Sequence, residues 1–200
     1  MRILLIHQNF PGQFRQLAPY LEGLGHELVA IASHDRPIDL KGRVLRYPEP
    51  AKQSALPHGS ALWHEGLARA WHVARMAEQL DEAGWKPDRI LAHSGWGETL
   101  GLAQLWSDVK QVIWPELWLH PSHAGYGVDP LKPPVNLHSK LEQIGRNSLT
   151  RAALADASAW VLPTHHQAQS LPSEFQDHRL HVIHEGIDTH IAKPNPDVSF

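Results

Sequence analysis

The residues whose types and spacing could do chemistry lie in a few short loops. Gly95-Trp96-Gly97 with Gly101 gives a G-x-G-x-x-x-G spacing between an apolar run and a helical one. Glycines at such a turn let backbone amides approach a phosphate. The dinucleotide fingerprint, however, belongs to the turn after the first strand, where only Gly12 is present, so no nicotinamide or flavin site is expected. Ser94 stands at a strand-to-helix turn, where a hydrolase nucleophile would sit. That elbow needs small residues two positions to either side; Ala92 fits and Trp96 does not, which argues against a serine hydrolase. Sixteen histidines invite a metal reading. Yet His64-Glu65 is followed by Ala68 where a second ligand would stand, His120 and His123 share a loop, and His165-His166 are adjacent. None of these has helical ligand spacing, and no metal site is expected. Among eight tryptophans, Trp71 and Trp160 read as core residues, whereas Trp96, Trp114 and Trp118 cluster in or beside loops, where a ring can pack or stack on a sugar.

The elements that must position these loops alternate in type. Strand-like runs fall at 2–7, 26–32, 44–47, 89–93, 110–114, 159–162 and 179–183. Helical periods fall at 13–24, 60–84, 98–106, 136–155 and 165–175, with Pro19 kinking or delaying the first. In the helix at 60–84, Ser60 is the expected cap, Gly84 the stop, and Leu67, Ala70, Trp71, Ala74, Ala77 and Leu80 the expected apolar face. Residues 115–134 show no period and read as a long surface loop, of a kind that often carries function. Strands separated by helices mean βαβ units, hence an α/β fold with a Rossmann-like parallel sheet and helices on both faces. Ligands of such a sheet bind beyond the carboxyl ends of its strands, so the places to search are 8–12, 93–97, 115–123, 163–166 and 184–188.

Composition bounds the rest. The chain has 200 residues, 42% hydrophobic and 20% charged, enough for one α/β domain and unlike a disordered or fibrous sequence. No window has the roughly 18 consecutive apolar residues of a membrane span. A net charge of −3 gives no nucleic-acid footprint, and the absence of cysteine removes disulfides and thiolate chemistry and fits a cytoplasmic protein.

Several of these pieces together resemble a known family. The opening MRILLIHQNFPG is similar to the start of family 4 glycosyltransferases of the two-domain GT-B type. PDRILAHSGWGE at 87–98 resembles the fourth strand and loop of one bacterial subgroup with an H-x-G-W-G-E-like motif, and WPELWLH at 114–120 resembles its acidic-aromatic segment after the fifth strand. The best match is 147–189, with Asn147-Ser148, Ala155-Asp156-Ala157, Pro163-Thr164 and the run HEGIDT at 184–189.

The resemblance implies an enzyme that moves a sugar from a nucleotide-sugar to a glycan or lipid-linked acceptor, usually with retention and without a bound metal. It implies that residues 1–186 are the amino-terminal, acceptor-side half, that 187–200 begin an interdomain linker, and that a further domain holds the donor, so the chain alone is expected to be inactive. The nucleotide-sugar is a substrate, and no other cofactor is implied. Gly12 would let a substrate approach helix amides, and Gln13 would add a hydrogen bond. Gly95 and Gly97 would play the same permissive part, with His93, Trp96, Glu98 and Trp118 at the acceptor. Thr164, Glu185 and Gly186 would line the interdomain cleft, although Gly186 can equally serve as a turn residue with positive φ. Where relatives carry a histidine after the fifth strand, this sequence has Pro115-Glu116. Glu116 is accordingly the expected acceptor contact or general base, against the plainer reading of a loop carboxylate capping an amide. Relatives with lipid-linked acceptors lie on the inner membrane. Here Arg36, Lys41, Arg43, Arg46 and Lys52 form a basic region diluted by Asp35, Asp39 and Glu49, so peripheral contact stands beside a solvated surface. Two other readings share the fold: a free-standing nucleotide- or sugar-binding module, and a nucleotide-sugar epimerase domain.

Overall fold

The computed structural model describes residues 1–115, 117–120, 131 and 135–195. Among these, the strands are β1 (Arg2–Ile6), β2 (Asn9–Phe10), β3 (Glu27–Ala32), β4 (His34–Asp35), β5 (Arg43–Arg46), β6 (Arg89–His93), β7 (Lys110–Trp114), β8 (Ala159–Leu162) and β9 (Leu180–Val182). The helices are α1 (Leu17–Gly23), α2 (His58–Glu82), α3 (Leu102–Leu105), α4 (Leu137–Ala155) and α5 (His165–Ser170). Seven strands form one parallel sheet in the order β5-β3-β1-β6-β7-β8-β9, while β2 and β4 pair separately above it. All seven strands expected from the sequence are present.

The central strands are continuous apolar runs because both of their faces are covered. In β1, Leu4 and Ile6 face one core, shared with Val73 and Ala77 of α2, Leu154 of α4 and Ala168 of α5. Ile3 and Leu5 face the other, with Phe14 and Ala18 at and beside α1. The large rings buried here satisfy their polar atoms: Trp106 Nε1 donates to Asp81, and Trp160 Nε1 to the Phe175 carbonyl.

Four local expectations change. The first helix starts late, since Gly12–Phe14 is a 3-10 turn and α1 begins at Leu17, which places Pro19 in its first turn, where a missing N–H costs no helical bond. The helix expected at 98–106 shrinks to α3, because Gly97 and Gly101 both take positive φ and interrupt it. In α2 the buried face runs through Ala61, Ala70, Val73, Ala77 and Leu80, which turns Trp71 outward to 67% exposure; it is not a core residue. The cap of α2 is also not Ser60, as the helix begins at His58.

The helices α2 and α4 run side by side in the same direction. A Cβ on Gly145 would stand 2.7 Å from the Gly59 carbonyl oxygen, and two turns further on a Cβ on Gly66 would stand 2.6 Å from Leu149. Asn136 caps α4 by accepting from the Ser139 amide, and Asn147 pins the segment after β7 by bonding both the N–H and the carbonyl of Leu119.

Candidate functional site at the switch point of the sheet

The strand order reverses beside β1: the chain moves outward through β3 and β5, then crosses along α2 to β6 on the other side of β1. Adjacent loops diverge at such a point and leave a crevice beyond the strand ends. His7 follows β1 and His93 closes β6, and the parallel pairing of these strands stacks the two imidazoles, with centroids 4.7 Å apart and planes at 30°.

The first loop is held by hydrogen bonds. His7 Nδ1 accepts from the Asn9 amide at 2.9 Å, so Nε2 carries the proton and donates to Gln13 Oε1 at 2.5 Å. Gly12 has φ of +45°, and a Cβ there would fall 2.1 Å from His7 Nε2, so the ring occupies the space a side chain would fill. The amides of Phe14 and Arg15 already bond Pro11 and Gly12 carbonyls. Gly12 therefore acts by admitting the His7 ring, and those two amides do not present a helix end to a ligand. Phe14 meets His7 and Trp114 edge-on, each at 6.0 Å, and closes the side of the pair.

The second loop is packed inward. The Ser94 amide extends the β6–β7 ladder to the Trp114 carbonyl, and Ser94 Oγ is hydrogen-bonded to Thr99 Oγ1 at 2.8 Å with both residues buried. A serine so enclosed is no exposed nucleophile. Gly97 has φ of +101°, and a Cβ there would lie 2.3 Å from the Gly66 carbonyl oxygen, so this glycine seats the loop against α2. Gly95 is different: the nearest atom to its Cβ position is 3.9 Å away. Trp96 carries the Arg146 guanidinium over its ring at 4.3 Å.

Glu98 was expected at the cleft, but its side chain is fully buried, and neither carboxylate oxygen has a hydrogen-bond partner. Burial lifts its pKa to about 7, against the opposing pull of its own nearby backbone amide, then of His93, Arg69 and the Trp96 amide. Tyr47 Oη and Arg69 Nε, also buried, have no hydrogen-bond partner either. Burial, then the nearby Glu98 and Glu49 carboxyls, push the Tyr47 hydroxyl upward. A second Arg69 nitrogen, Nη2, donates to Glu49 Oε2 at 3.2 Å.

Beyond the paired imidazoles opens a cleft of about 750 Å³ between the 12–20 segment and residues 183–188. Gly12, Gln13, Glu185 and Gly186 all line it, together with Trp114 and Asp188. Gly186 is not in the left-handed region, so a positive-φ turn is not its role. Thr164 caps α5 by accepting from the Gln167 amide and does not line this cleft. Trp118 is 7% exposed and packs beside Phe175 and Arg151, in the apolar core. Glu116, His123 and most of the 115–134 loop lie outside the described residues. The sequence reading missed His7, Tyr47 and Arg69. A histidine at the end of each of two strands was the available signal for the first.

Together these features define a Rossmann-like domain of the GT-B architecture, with its crevice at the sheet's switch point. Residues 24–192 match the Glycosyl transferase family 4 group, and the chain belongs to that family. No curated protein sequence matches it. A UDP-glucosyltransferase from Polygonum tinctorium capable of glucosylating indoxyl, in complex with 3,4-dichloroaniline, aligns with a TM-score of 0.57 at 10% identity, over 98% of this chain and 55% of its own. Os79 from O. sativa in complex with UDP aligns at 0.53 and 14% identity, over 83% and 46% respectively. The UDP-GlcNAc 2-epimerase of Neisseria meningitidis bound to UDP-GlcNAc gives 0.47 and 14%, over 91% and 45%. The chain spans about half the length of these structures. No helix among the described residues is long and apolar enough to cross a membrane.

Proposed function

We propose that this chain is the acceptor-side half of a glycosyltransferase that moves a sugar from a nucleotide-sugar to a glycan or lipid-linked acceptor, with retention of anomeric configuration. The observation that carries the reading is the cleft beside the stacked His7–His93 pair, walled on one side by Gly12 and Gln13 and on the other by Glu185 and Gly186. Family membership supports the reaction class. The donor nucleotide is held mainly by a second domain that closes over this cleft, and no metal or organic cofactor takes part. In the transfer, the acceptor oxygen bonds the anomeric carbon as the bond from that carbon to the diphosphate oxygen breaks. We assign Glu116 to receive the acceptor's proton, with the departing nucleoside diphosphate carrying away the electron pair. His7, locked as the Nε2–H tautomer by Asn9 and Gln13, orients the groups at the cleft wall. The enzyme works in the cytoplasm, with any membrane contact peripheral.

The test is turnover by the chain extended through a further domain of about 200 residues, assayed against a panel of nucleotide-sugars for nucleotide release. Release by the extended protein, absent from residues 1–200 and reduced at least 100-fold by Glu116→Ala, is the expected result. A product that is the epimer of the donor sugar, with no acceptor modified, would overturn the transferase reading. Tight nucleotide or sugar binding by residues 1–200 without chemistry in any longer form would make the chain a binding module.

A further inference from the structure

One buried polar cluster lies outside the cleft, between α2 and the carboxyl ends of the strands. Its placement follows from a close backbone contact. Gly97 is seated on the Gly66 carbonyl of α2, Glu98 is the next residue of that loop, and Arg69 lies one helical turn beyond Gly66 on the same face. A further turn along, Val73 shares the core with Tyr47, the residue that follows β5. Three elements thus bring together a carboxyl, a guanidinium and a phenol, and the three residues are 0%, 6% and 2% exposed.

These groups are complementary and yet not joined. Among the described residues, neither Glu98 oxygen, nor Tyr47 Oη, nor Arg69 Nε has a hydrogen-bond partner, and all four atoms are sealed from solvent. The guanidinium is engaged elsewhere: its Nη2 donates to Glu49 Oε2 at 3.2 Å. Glu49 is a different kind of carboxylate. Its side chain is 32% exposed, and Oε1 accepts from Gln8 Nε2 at 3.0 Å, in the loop after β1. Burial opposes its charge, but hydrogen bonds from Ser33, Gln8 and Arg69 win and hold it below the usual carboxylate range. One buried cation therefore stands between a charged carboxylate and a carboxyl that has no partner. An unbonded buried N–H and two unbonded carboxyl oxygens each carry a desolvation cost that pairing would relieve.

We propose that Arg69 is a shared arm that exchanges between Glu49 and Glu98, coupling the loop after β1 to the loop after β6 across the switch point. With Arg69 on Glu49, Glu98 keeps its proton. When Glu49 is taken up or neutralised, Arg69 turns its Nε–H to Glu98, which releases its proton to solvent as the loop moves, and Tyr47 Oη donates to the second oxygen. The loop after β6 is then held by an ion pair as well as by packing. The charged and titratable groups facing Glu98 are His93 from β6, Arg69 from α2 and Tyr47 after β5, with Glu49 facing the last two. This device goes beyond the transferase reading and does not depend on it.

The test is Glu49→Gln in this chain, which keeps the shape and removes the competing charge. The Glu98 carboxyl carbon and the Arg69 Nε–H are followed by NMR from about pH 4.5 to 8. The proton affinity of Glu98 should fall by about tenfold or more, and the Arg69 Nε–H resonance should titrate with the same midpoint. Removing a negative charge lowers that affinity by itself, so Glu49→Gln is also made in an Arg69→Met background. There its effect on Glu98 should shrink below about twofold. A tenfold fall that persists without Arg69 would be simple repulsion and would overturn the proposal. So would an unchanged Glu98 titration in Glu49→Gln, or an Arg69 Nε–H that does not follow it. Should Arg69→Met fail to fold, Glu49→Gln/Glu98→Gln decides: the Arg69 titration must vanish there, and its persistence would overturn the exchange.

Discussion

The two loops that meet at the switch point solve the same problem in opposite ways. The loop after β1 satisfies its polar groups locally: both ring nitrogens of His7 are bonded, to Asn9 and Gln13, and Gly12 leaves room for the ring. The loop after β6 keeps a fully buried carboxyl with no hydrogen-bond partner at either oxygen, and is held by packing against α2. A buried polar group without partners costs stability unless it can shed its charge. The first loop is therefore held by hydrogen bonds made within itself, whereas the second has a stability that depends on the proton of Glu98.

The contrast breaks most violently at Gly97. Gly97→Ala drives a methyl group into the Gly66 backbone at a φ that alanine avoids, and neither helix nor loop can yield cheaply. The expected loss is roughly 4 kcal/mol, which for a chain of this size is about 10 °C in Tm. Thermal denaturation reads it directly. A shift smaller than about 2 °C would mean that the loop is not seated on α2 as described.

The proton dependence comes next. Glu98 is lifted from the ordinary carboxyl range to about 7 in the folded chain. The folded state therefore holds this proton over a window where the unfolded chain releases it, and stability must fall as pH rises through that window, leveling off above pH 7. The full difference is about 3 kcal/mol. Glu98→Gln keeps the shape and removes the titration, so the wild-type curve minus the variant curve, from denaturant unfolding between pH 4.5 and 8, isolates the effect from the histidines. A flat difference would show that Glu98 has partners in solution. The groups facing it are His93 at the end of β6, Arg69 from α2 and Tyr47 after β5.

How far the sequence alone reaches is visible in these same residues. The sheet was legible because runs such as Ile3–Ile6 are apolar at every position, which only a strand covered on both faces requires. The phase of α2 was not. Trp71 and Ala70 are neighbours in sequence but about 100° apart around the helix, and the tie between their faces is broken by what lies across the interface. Gly12, Gln13, Glu185 and Gly186 were found as strand-end residues, and the structure brings them to one cleft. The His7–His93 stack was not found, because it depends on β1 and β6 being neighbours, a fact of strand order rather than of local pattern. Glu98 was read as a polar group facing the cleft; the structure buries it instead, one residue after Gly97 takes its positive φ.

Gly12→Ala sharpens the other side of the comparison. The methyl group would collide with the His7 ring, so the cost should be about 2 kcal/mol and the His7–Gln13 bond should be lost, visible in the His7 Nε2 proton resonance. The cause can be isolated with a cycle. In a His7→Ala background the collision partner is gone, and the cost of Gly12→Ala should fall below about 1 kcal/mol, leaving the backbone contribution of a positive φ. An unchanged cost would place the strain in the backbone alone.

The smallest effect is expected at Gly95, two residues from the largest. Its Cβ position is open, with the Pro115 carbonyl oxygen 3.9 Å away, and its φ is one that any residue adopts. Gly95→Ala should therefore change stability by no more than about 0.5 kcal/mol. If the glycine is there for packing, like Gly97, denaturation will report a loss several times larger and the loop will prove to be closed on both sides. If it is there to leave room for an acceptor, the variant will melt like the parent, and in the extended protein it will raise KM for the acceptor while leaving donor binding unchanged.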